Sequence, residues 1–310
     1  MIPDIVSKNG FSLDRLATLQ AVVDAGSIVA AAGSNTSRQS QFSRQIKELE
    51  KAMGQRLFSR VGKSLRPTEA GLQLVRMTKA FLEGVNALQL GESGEPETLK
   101  IGTGQGVFRW LVVPLLHTLR KLNPAILGYI RGLPMGEIVE EVRTGRLDVG
   151  IVHAGSSHEG VESELIGQIS YVLTVPRRLL RSRSGEEVFS GRPIPYAELT
   201  GAGVLASTAA KLAREAGIRL NCVLRSDRVS LLLPAVEHED VAAFLPAPAA
   251  ATLPGAKFAI VPVDGSQKLN RPLVAVWTRE GLKQRRALGI ALRPLIRGLQ
   301  QAISEFETGR

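Results

Sequence analysis

One short stretch, Gly91-Glu92-Ser93-Gly94-Glu95-Pro96-Glu97, constrains the fold more than any other. It carries no large apolar residue, three acids, and the Gly, Ser and Pro of a linker. Ahead of it the chain is rich in Ala, Leu, Gln and Arg; behind it, Val/Ile runs of strand length alternate with helical patterns. A chain divided in this way folds as a helical front unit joined to an α/β unit, and 310 residues suffice for two or three packing units.

In the front unit, Ser12 is placed to cap a helix that buries Leu13, Leu16, Leu19, Val22 and Val23, and Gly26 ends it. Ser27 caps a short helix from Ile28 to Ala32, and Gly33-Ser34-Asn35 is a turn. A third helix runs from about Arg38 to Met53, capped by Thr36 or Ser37 and stopped by Gly54. Its Phe42, Ile46, Leu49 and Met53 fall within about 60° of one another, a single apolar stripe. Ser40, Arg44, Lys47 and Lys51 lie opposite, with Ser43 at the flank. Leu57 to Arg60 and Ser64 to Arg66 flank Val61-Gly62-Lys63, the pattern of a small β-wing, and Thr68 opens a long helix to about Leu90.

A solvated amphipathic helix would show the same polar face as the third helix, so its neighbours decide the reading. From Asn35 to Arg66 there are eight Lys/Arg and two acids, a net of +6 out of +10 for the whole chain. Helix, turn, basic helix and basic wing are the layout of a winged helix-turn-helix. Arg and Gln can read guanine and adenine edges in pairs of hydrogen bonds, Ser can bond either, and Lys and Arg neutralise phosphates. The candidate DNA-contacting residues are Ser37, Arg38, Gln39, Ser40, Ser43, Arg44 and Lys47 on the helix, Arg60, Lys63 and Arg66 on the wing, and Thr68 beyond it.

These residues also carry a family resemblance. Gly26-Ser27, Ala31-Ala32, Ser43-Arg44-Gln45-Ile46, Leu49-Glu50, Gly54, Leu57-Phe58, Arg60 and Thr68-Glu69-Ala70-Gly71 resemble, at matching spacings, the N-terminal domain of LysR-type transcriptional regulators. Ile101-Gly102-Thr103-Gly104, Asn123-Pro124 and Thr144-Gly145-Arg146-Leu147-Asp148-Val149-Gly150-Ile151 resemble that family's effector domain, so the likeness covers nearly the whole chain. The sequence departs from the family where Asn35 stands for Leu, Ser37 for a β-branched apolar residue, and Arg38-Gln39-Ser40 for Ser-Gln-Pro. Asn35 and Ser37 weaken an expected contact between the two helices, and Arg38 adds a guanidinium at the start of the third.

Behind the linker, the order strand (99–103), helix (107–122), strand (126–130), helix (135–144), strand (147–152) implies a parallel sheet with right-handed crossovers. Further strands are expected at 171–175, near Gly203 to Ala206, at 241–245 and at 273–277, with a closing helix over 282–304. The resemblance implies a fold like a periplasmic binding protein, two α/β subdomains around a ligand cleft. The expected division is 1–68 for the winged helix-turn-helix, 69–90 for a linker and dimerisation helix, 91–97 for a hinge and 98–310 for the effector domain. Within the last, subdomain I takes about 98–167 and 266–310, and subdomain II about 168–265. Ligands in open α/β sheets sit beyond the C-terminal strand ends. That selects Thr103, Gly104, Gln105, Gly106, Arg131, His153 and Ser207 as effector-binding candidates. Gly104 and Gly106 let backbone N–H groups approach, and a following helix N-terminus favours an anion, with a carboxylate the first choice. The expected partners are double-stranded DNA, a small-molecule effector, and a second copy of the chain, as homodimer or homotetramer. The long helix carries Leu72, Val75, Phe81, Leu82, Val85 and Leu88, which call for a covering partner.

The rival reading is a basic cytoplasmic α/β enzyme, or an anion-binding protein whose helix-turn-helix only anchors it to DNA. His117, His153, His158 and His238 form no HExxH, and neither GxSxG nor a P-loop occurs, so no catalytic residue, cofactor or metal is expected. A single cysteine, Cys222, excludes an internal disulfide; it is expected in the core, opening a buried strand Cys222-Val223-Leu224. The basic face carries Ser and Gln rather than Trp, Phe or Leu, which disfavours a membrane surface. The first residues lack the basic start and apolar run of a signal peptide, and no run of 18 apolar residues is free of charge, so a cytoplasmic protein is expected.

Overall fold

The computed structural model describes residues 5, 8–61, 64–89, 97–122, 126–155, 159–183, 186–189, 192–200 and 204–307. Lys63, His158 and the linker from Gly91 to Pro96 lie outside them.

The front unit is built from α1 (Leu13–Ala25), α2 (Ile28–Ala32), α3 (Thr36–Met53), the two-stranded wing β1 (Phe58–Val61) and β2 (Ser64–Pro67), and α4 (Glu69–Gln89). Ser12 and Ser27 cap α1 and α2 through their hydroxyls, and Gly26 closes α1 at φ 74°, in the left-handed region. The cap of α3 is neither Thr36 nor Ser37. Asn35 holds that place, its side chain accepting from the Arg38 amide at 3.0 Å. An Asn at this point therefore satisfies an orphan helix donor rather than packing between helices. Phe42, Ile46 and Leu49 of α3 are buried with Leu16, Leu19, Val22 and Val23 of α1, Leu57 and Phe58 of the wing, and Leu72 and Val75 of α4. The first half of α4 thus belongs to this core, which corrects the expectation that its whole apolar face awaits a partner. Glu50 fastens the wing, accepting from the Leu57 and Phe58 amides at 2.8 and 3.1 Å.

The second part opens with β3 (Glu97–Thr103), then α5 (Gln105–Val107), a π-helical turn (Phe108–Val112) and α6 (Val113–Leu122), so the expected helix starts two residues early and is interrupted. Next come β4 (Ile126–Gly132), α7 (Met135–Arg143), β5 (Val149–His153), β6 (Glu162–Ile169), β7 (Tyr171–Pro176) and a hairpin of β8 (Leu180–Arg183) with β9 (Glu186–Phe189). The chain continues through β10 (Ile194–Leu199), α8 (Leu205–Glu215), β11 (Leu220–Ser226), α9 (Val229–Glu239), β12 (Ala243–Pro246), α10 (Ala247–Ala250) and β13 (Phe258–Val261). It ends with β14 (Arg271–Trp277), α11 (Arg279–Gln284) and α12 (Arg286–Glu307).

One sheet has the order β4-β3-β5-β14-β6, with β3 parallel to β4 and β5, and β14 antiparallel to β5 and β6. A second layer combines β12-β7-β13 with β10-β11, joined by a bridge between Tyr196 and Ala242. The chain crosses between the layers at β6–β7 and at β13–β14, and one continuous apolar core runs through both and beneath α12. Two glycines let α7 and the segment that follows it lie close on the first sheet. A Cβ on Gly102 would come within 2.2 Å of Leu147, and one on Gly150 within 2.5 Å of Ile138.

Two expectations fail here. Leu205 and Ala206 open α8 rather than a strand, because Leu205, Ala209, Leu212 and Ala213 are buried at helical spacing. Cys222 is exposed, since β11 pairs only with β10 and most of the strand faces solvent.

Asp148 holds the start of β5. It accepts from the Lys100 amide at 2.7 Å and from Arg285, between α11 and α12, at 3.1 Å, while Arg285 also donates to the Thr98 carbonyl. Burial pushes its carboxyl up, and the Arg285 guanidinium opposes that. Asp148→Ala removes a buried carboxylate that binds both the Arg285 guanidinium and the Lys100 amide, and a loss of about 3–5 kcal/mol is expected in urea unfolding. A loss below about 1 kcal/mol would show that water reaches this pair.

Candidate DNA-reading face and ligand cleft

Because the α3 stripe is buried, its other side is turned outward. Ser37, Arg38, Ser40, Arg44 and Lys47 are exposed, as are Arg60 and Arg66 on the wing, and Ser43 is half-buried. Two candidates have structural work. Gln39 donates to the Gly33 carbonyl at 2.9 Å, closing the turn. The Thr68 hydroxyl donates to the Arg56 carbonyl at 2.7 Å and accepts from the Gly71 amide at 3.1 Å, which ties the wing to the first turn of α4. Arg38 lies over the Phe42 ring, 5.3 Å from its centroid, an arrangement that restricts the guanidinium near the start of α3. Gln45 accepts from Thr18 at 2.8 Å, and Glu48 pairs with Arg15, so α3 is fixed to α1 by polar contacts as well as by its stripe. What remains is a rigid Ser/Arg/Lys surface beside a basic ribbon.

The second site is a cavity of about 850 Å³ between the two α/β layers. Gly104, Gln105 and Gly106 form one wall, Gly132 to Gly136 another, and His153 a third. The opposite layer contributes Tyr171, Leu199 and the start of α9, Arg228 to Ser230. Trp110, Leu111, Ile169 and Met135 make the lining mostly apolar, and Arg271 adds a cation beside His153. Gln105 spans the cleft: its carbonyl oxygen accepts from the Ser230 hydroxyl at 3.0 Å. Two buried ring nitrogens, Trp110 Nε1 and His153 Nδ1, have no hydrogen-bond partner among the described residues. Buried donors and acceptors are rarely left so, and here both belong to residues that line the cavity. Burial, and then the charge of Arg271, hold the His153 imidazole below its ordinary range, against an opposing contribution from the Pro272 carbonyl.

Three sequence candidates do not line this cavity. Thr103 is buried, and its hydroxyl faces the Gly104 carbonyl. Arg131 pairs with Glu141. Ser207 donates back to the Val204 carbonyl within α8. Conversely, Trp110, Tyr171, Ser230 and Arg271 escaped the sequence reading. Arg271 was accessible in principle, because an antiparallel β14 begins at the end where β5 finishes, and Leu273 pairs with His153. Among the described residues, no group of three or more His, Cys, Asp or Glu could hold a metal ion, and no helix is long and apolar enough to cross a membrane.

A winged helix-turn-helix joined through a long helix to a two-layered α/β cleft is the class that this geometry defines. The LysR substrate binding domain matches residues 92–297, and the bacterial regulatory helix-turn-helix of the lysR family matches residues 13–72. The chain belongs to the LysR family. It is 28% identical over 158 residues to the nitrogen assimilation regulatory protein nac of Klebsiella aerogenes, covering 49% of this chain and 52% of that protein. Against a probable RuBisCO transcriptional regulator of Cyanophora paradoxa it is 30% identical over 174 residues, 54% of each. The chain thus spans about half the length of the curated relatives it matches. Among solved structures, full-length LysG from Corynebacterium glutamicum, with bound effector Arg, superposes with a TM-score of 0.62 at 17% identity, over 95% of this chain and 99% of that one. ArgP from Mycobacterium tuberculosis gives 0.59 at 20% identity, over 94% and 96%. At such identities the likeness speaks for the fold alone.

The depressed imidazole has a measurable consequence. Between its folded pKa and the unfolded value of about 6.5, the folded chain binds fewer protons at His153 than the unfolded chain, so this group's contribution to stability falls as pH drops through about 6.5. An NMR titration, with His153→Gln for assignment, is expected to place its midpoint below about 6.5. A midpoint at or above that value would mean a solvated, charge-stabilised ring.

Proposed function

We propose that this chain is a cytoplasmic, sequence-specific DNA-binding transcriptional regulator and not an enzyme, controlled by a small molecule held between its two α/β layers. The observation that carries the reading is the exposed Ser37–Arg38–Ser40–Arg44–Lys47 surface of α3, set opposite a buried stripe. A helix anchored on one side and carrying short polar and guanidinium groups on the other can enter a major groove without reorganising. Arg44, at mid-helix, reads a base edge; Lys47, Arg60 and Arg66 neutralise backbone phosphates. The functional division follows the linker: residues 1–68 bind DNA, α4 connects and pairs subunits, and 98–310 sense the effector.

The cleft supplies the control. Its walls come from both layers, so a ligand can favour one arrangement of the layers over another, and a tenfold preference corresponds to about 1.4 kcal/mol. An apolar lining with Arg271 beside it suits a small anion with an apolar body. Subunits pair through the second half of α4, where Met77, Phe81, Leu82 and Val85 are exposed although the helix is apolar on that face.

Two measurements test this. Arg44→Ala is expected to weaken operator binding by about 1–3 kcal/mol with the fold intact, and to relax specificity at one position. Wild-type affinity in that variant removes Arg44 from the reading set. Gln105→Ala, which breaks the cross-cleft bond to Ser230, is expected to alter the effector response in a reporter assay while leaving effector-free operator binding within about threefold. Loss of operator binding in a folded Gln105→Ala protein would place the sensing site elsewhere.

A further inference from the structure

Three contacts hold the first turn of α3. Asn35 accepts from the Arg38 amide at 3.0 Å, Gln39 donates to the Gly33 carbonyl at 2.9 Å, and the Arg38 guanidinium lies over the Phe42 ring, 5.3 Å from its centroid. A helix end tied to its cap, to the preceding turn and to its own second turn resists fraying. The residue at position 40 decides that this turn can be helical. α3 starts at Thr36, so the Ser40 N–H belongs to the ladder of bonds and pairs with the Thr36 carbonyl. Proline, which the family carries here, would remove that bond and drive its ring against the same carbonyl. Serine lets α3 begin at Thr36, with Ser37, Arg38 and Gln39 as part of the helix.

The added turn lengthens one row of side chains. Ser37, Ser40, Arg44 and Lys47 fall within about 80° of one another around the helix, opposite the buried Phe42, Ile46 and Leu49. All four are exposed. Elsewhere in the chain, hydroxyls on helices turn back on the backbone: Thr78 donates to the Leu74 carbonyl at 2.8 Å, and Ser207 to the Val204 carbonyl at 3.0 Å. The Ser37 and Ser40 hydroxyls have no hydrogen-bond partner among the described residues, and neither has the Arg44 guanidinium. Water can serve any exposed hydroxyl, so it is their place in a fixed row with Arg44 that gives these two their meaning. Ser40 lies about 6 Å from Arg44 along the helix axis and Ser37 about 10 Å, while successive base pairs are about 3.4 Å apart. A recognition helix touches base edges with its N-terminal residues, so a helix lying along the groove sets Ser40 about two pairs beyond Arg44 and Ser37 about one pair further. A hydroxyl at such a place can donate to one base edge or accept from another.

We propose that the first turn of α3 is a second base-reading segment, in which Ser40 and Ser37 determine specificity through hydroxyl bonds to base edges beyond the pair that Arg44 contacts. The inference rests on α3 being the groove-facing helix and adds to it a longer recognised sequence. The three contacts that hold this turn fix both hydroxyls before DNA arrives, so little ordering is left to offset the bonds they form. Arg38, drawn over Phe42, stands beside the row rather than in it.

Selection from a library of randomised duplexes by the full chain, followed by competition binding on the selected sequence, tests this. Arg44→Ala locates the pair that Arg44 contacts. Ser40→Ala is expected to flatten the base preference at one other position, about two pairs away, and to weaken binding to the selected duplex about three- to tenfold. Preferences at the remaining positions are expected to stay as in the wild type. Ser37→Ala is expected to have the same effect one position further out. Alanine favours a helix, so both variants are expected to keep the wild-type circular dichroism, and if one does not, the other carries the test. Unchanged preference in either folded variant, or an equal weakening on every sequence as from a phosphate contact, overturns the proposal and leaves α3 as the reading helix. A wild-type chain that selects no sequence at all removes that broader reading, and this one with it.

Discussion

The return of β14 into the first sheet is the constraint on which the sensing half depends. This strand enters antiparallel between β5 and β6 and buries Leu273 to Trp277 completely or nearly so. Inserting a strand late in the chain into a sheet begun at residue 97 forces the chain to leave the first layer after β6 and return after β13. Those two crossings are the only covalent connections between the layers within 97–307, and the cavity opens beside them. The same insertion brings Arg271 next to His153, where its charge adds to burial in holding the imidazole below its ordinary range. A parallel β14 would have put Arg271 at the far end of the sheet.

The front unit obeys a more local logic. One apolar stripe on α3 decides which side packs on α1, and the Ser/Arg/Lys face is what that packing leaves outside. Asn35 illustrates how the departure from the family's residue is accommodated. Its side chain makes a helix cap in place of an apolar contact, and caps of this kind are worth about 1 kcal/mol. Ser37 then lies exposed on the first turn, where a β-branched apolar residue would have faced inward contacts or water. The substitution pair trades a packing interaction for a capped start and leaves two more polar groups near the exposed face of α3.

Much of this was legible from local chemistry. Ser12, Ser27, Gly26 and Gly54 mark helix ends by mechanisms local to a single turn, and both ends of α1, the start of α2 and the end of α3 fall where those residues imply. The parallel order of β3, β4 and β5 followed from alternating periods. The cleft was only half legible. Gln105, Gly106 and His153 lie at C-terminal strand ends, which a rule can locate, whereas Tyr171, Ser230 and Arg271 are placed by partners far away in sequence, Pro246 for Tyr171 and Gln105 for Ser230, with Arg271 carried in on the strand that pairs with β5. Cys222 misled because Val and Leu neighbours resemble a core strand, while burial depends on whether another strand covers the edge, and none pairs on the outer side of β11.

The remaining question is how a cleft can be felt by a helix-turn-helix that it does not touch, and α7 supplies the geometry. Its first residues, Met135 and Gly136, line the cavity. Its last, Arg143, gives its carbonyl to Arg76 of α4 and pairs with Glu69, and Arg146 just beyond reaches Asp24 of α1. Nine residues of helix span about 13 Å as a stiff rod. These terminal contacts are unequal. Arg146 to Asp24, at 3.8 Å and partly exposed, is worth little by itself. Arg76 is different: its side chain is only 6% exposed, and breaking its bonds would strand a guanidinium away from water. A ligand that displaced Met135 would move the far end of α7 as well, and Arg76 is the contact that would resist.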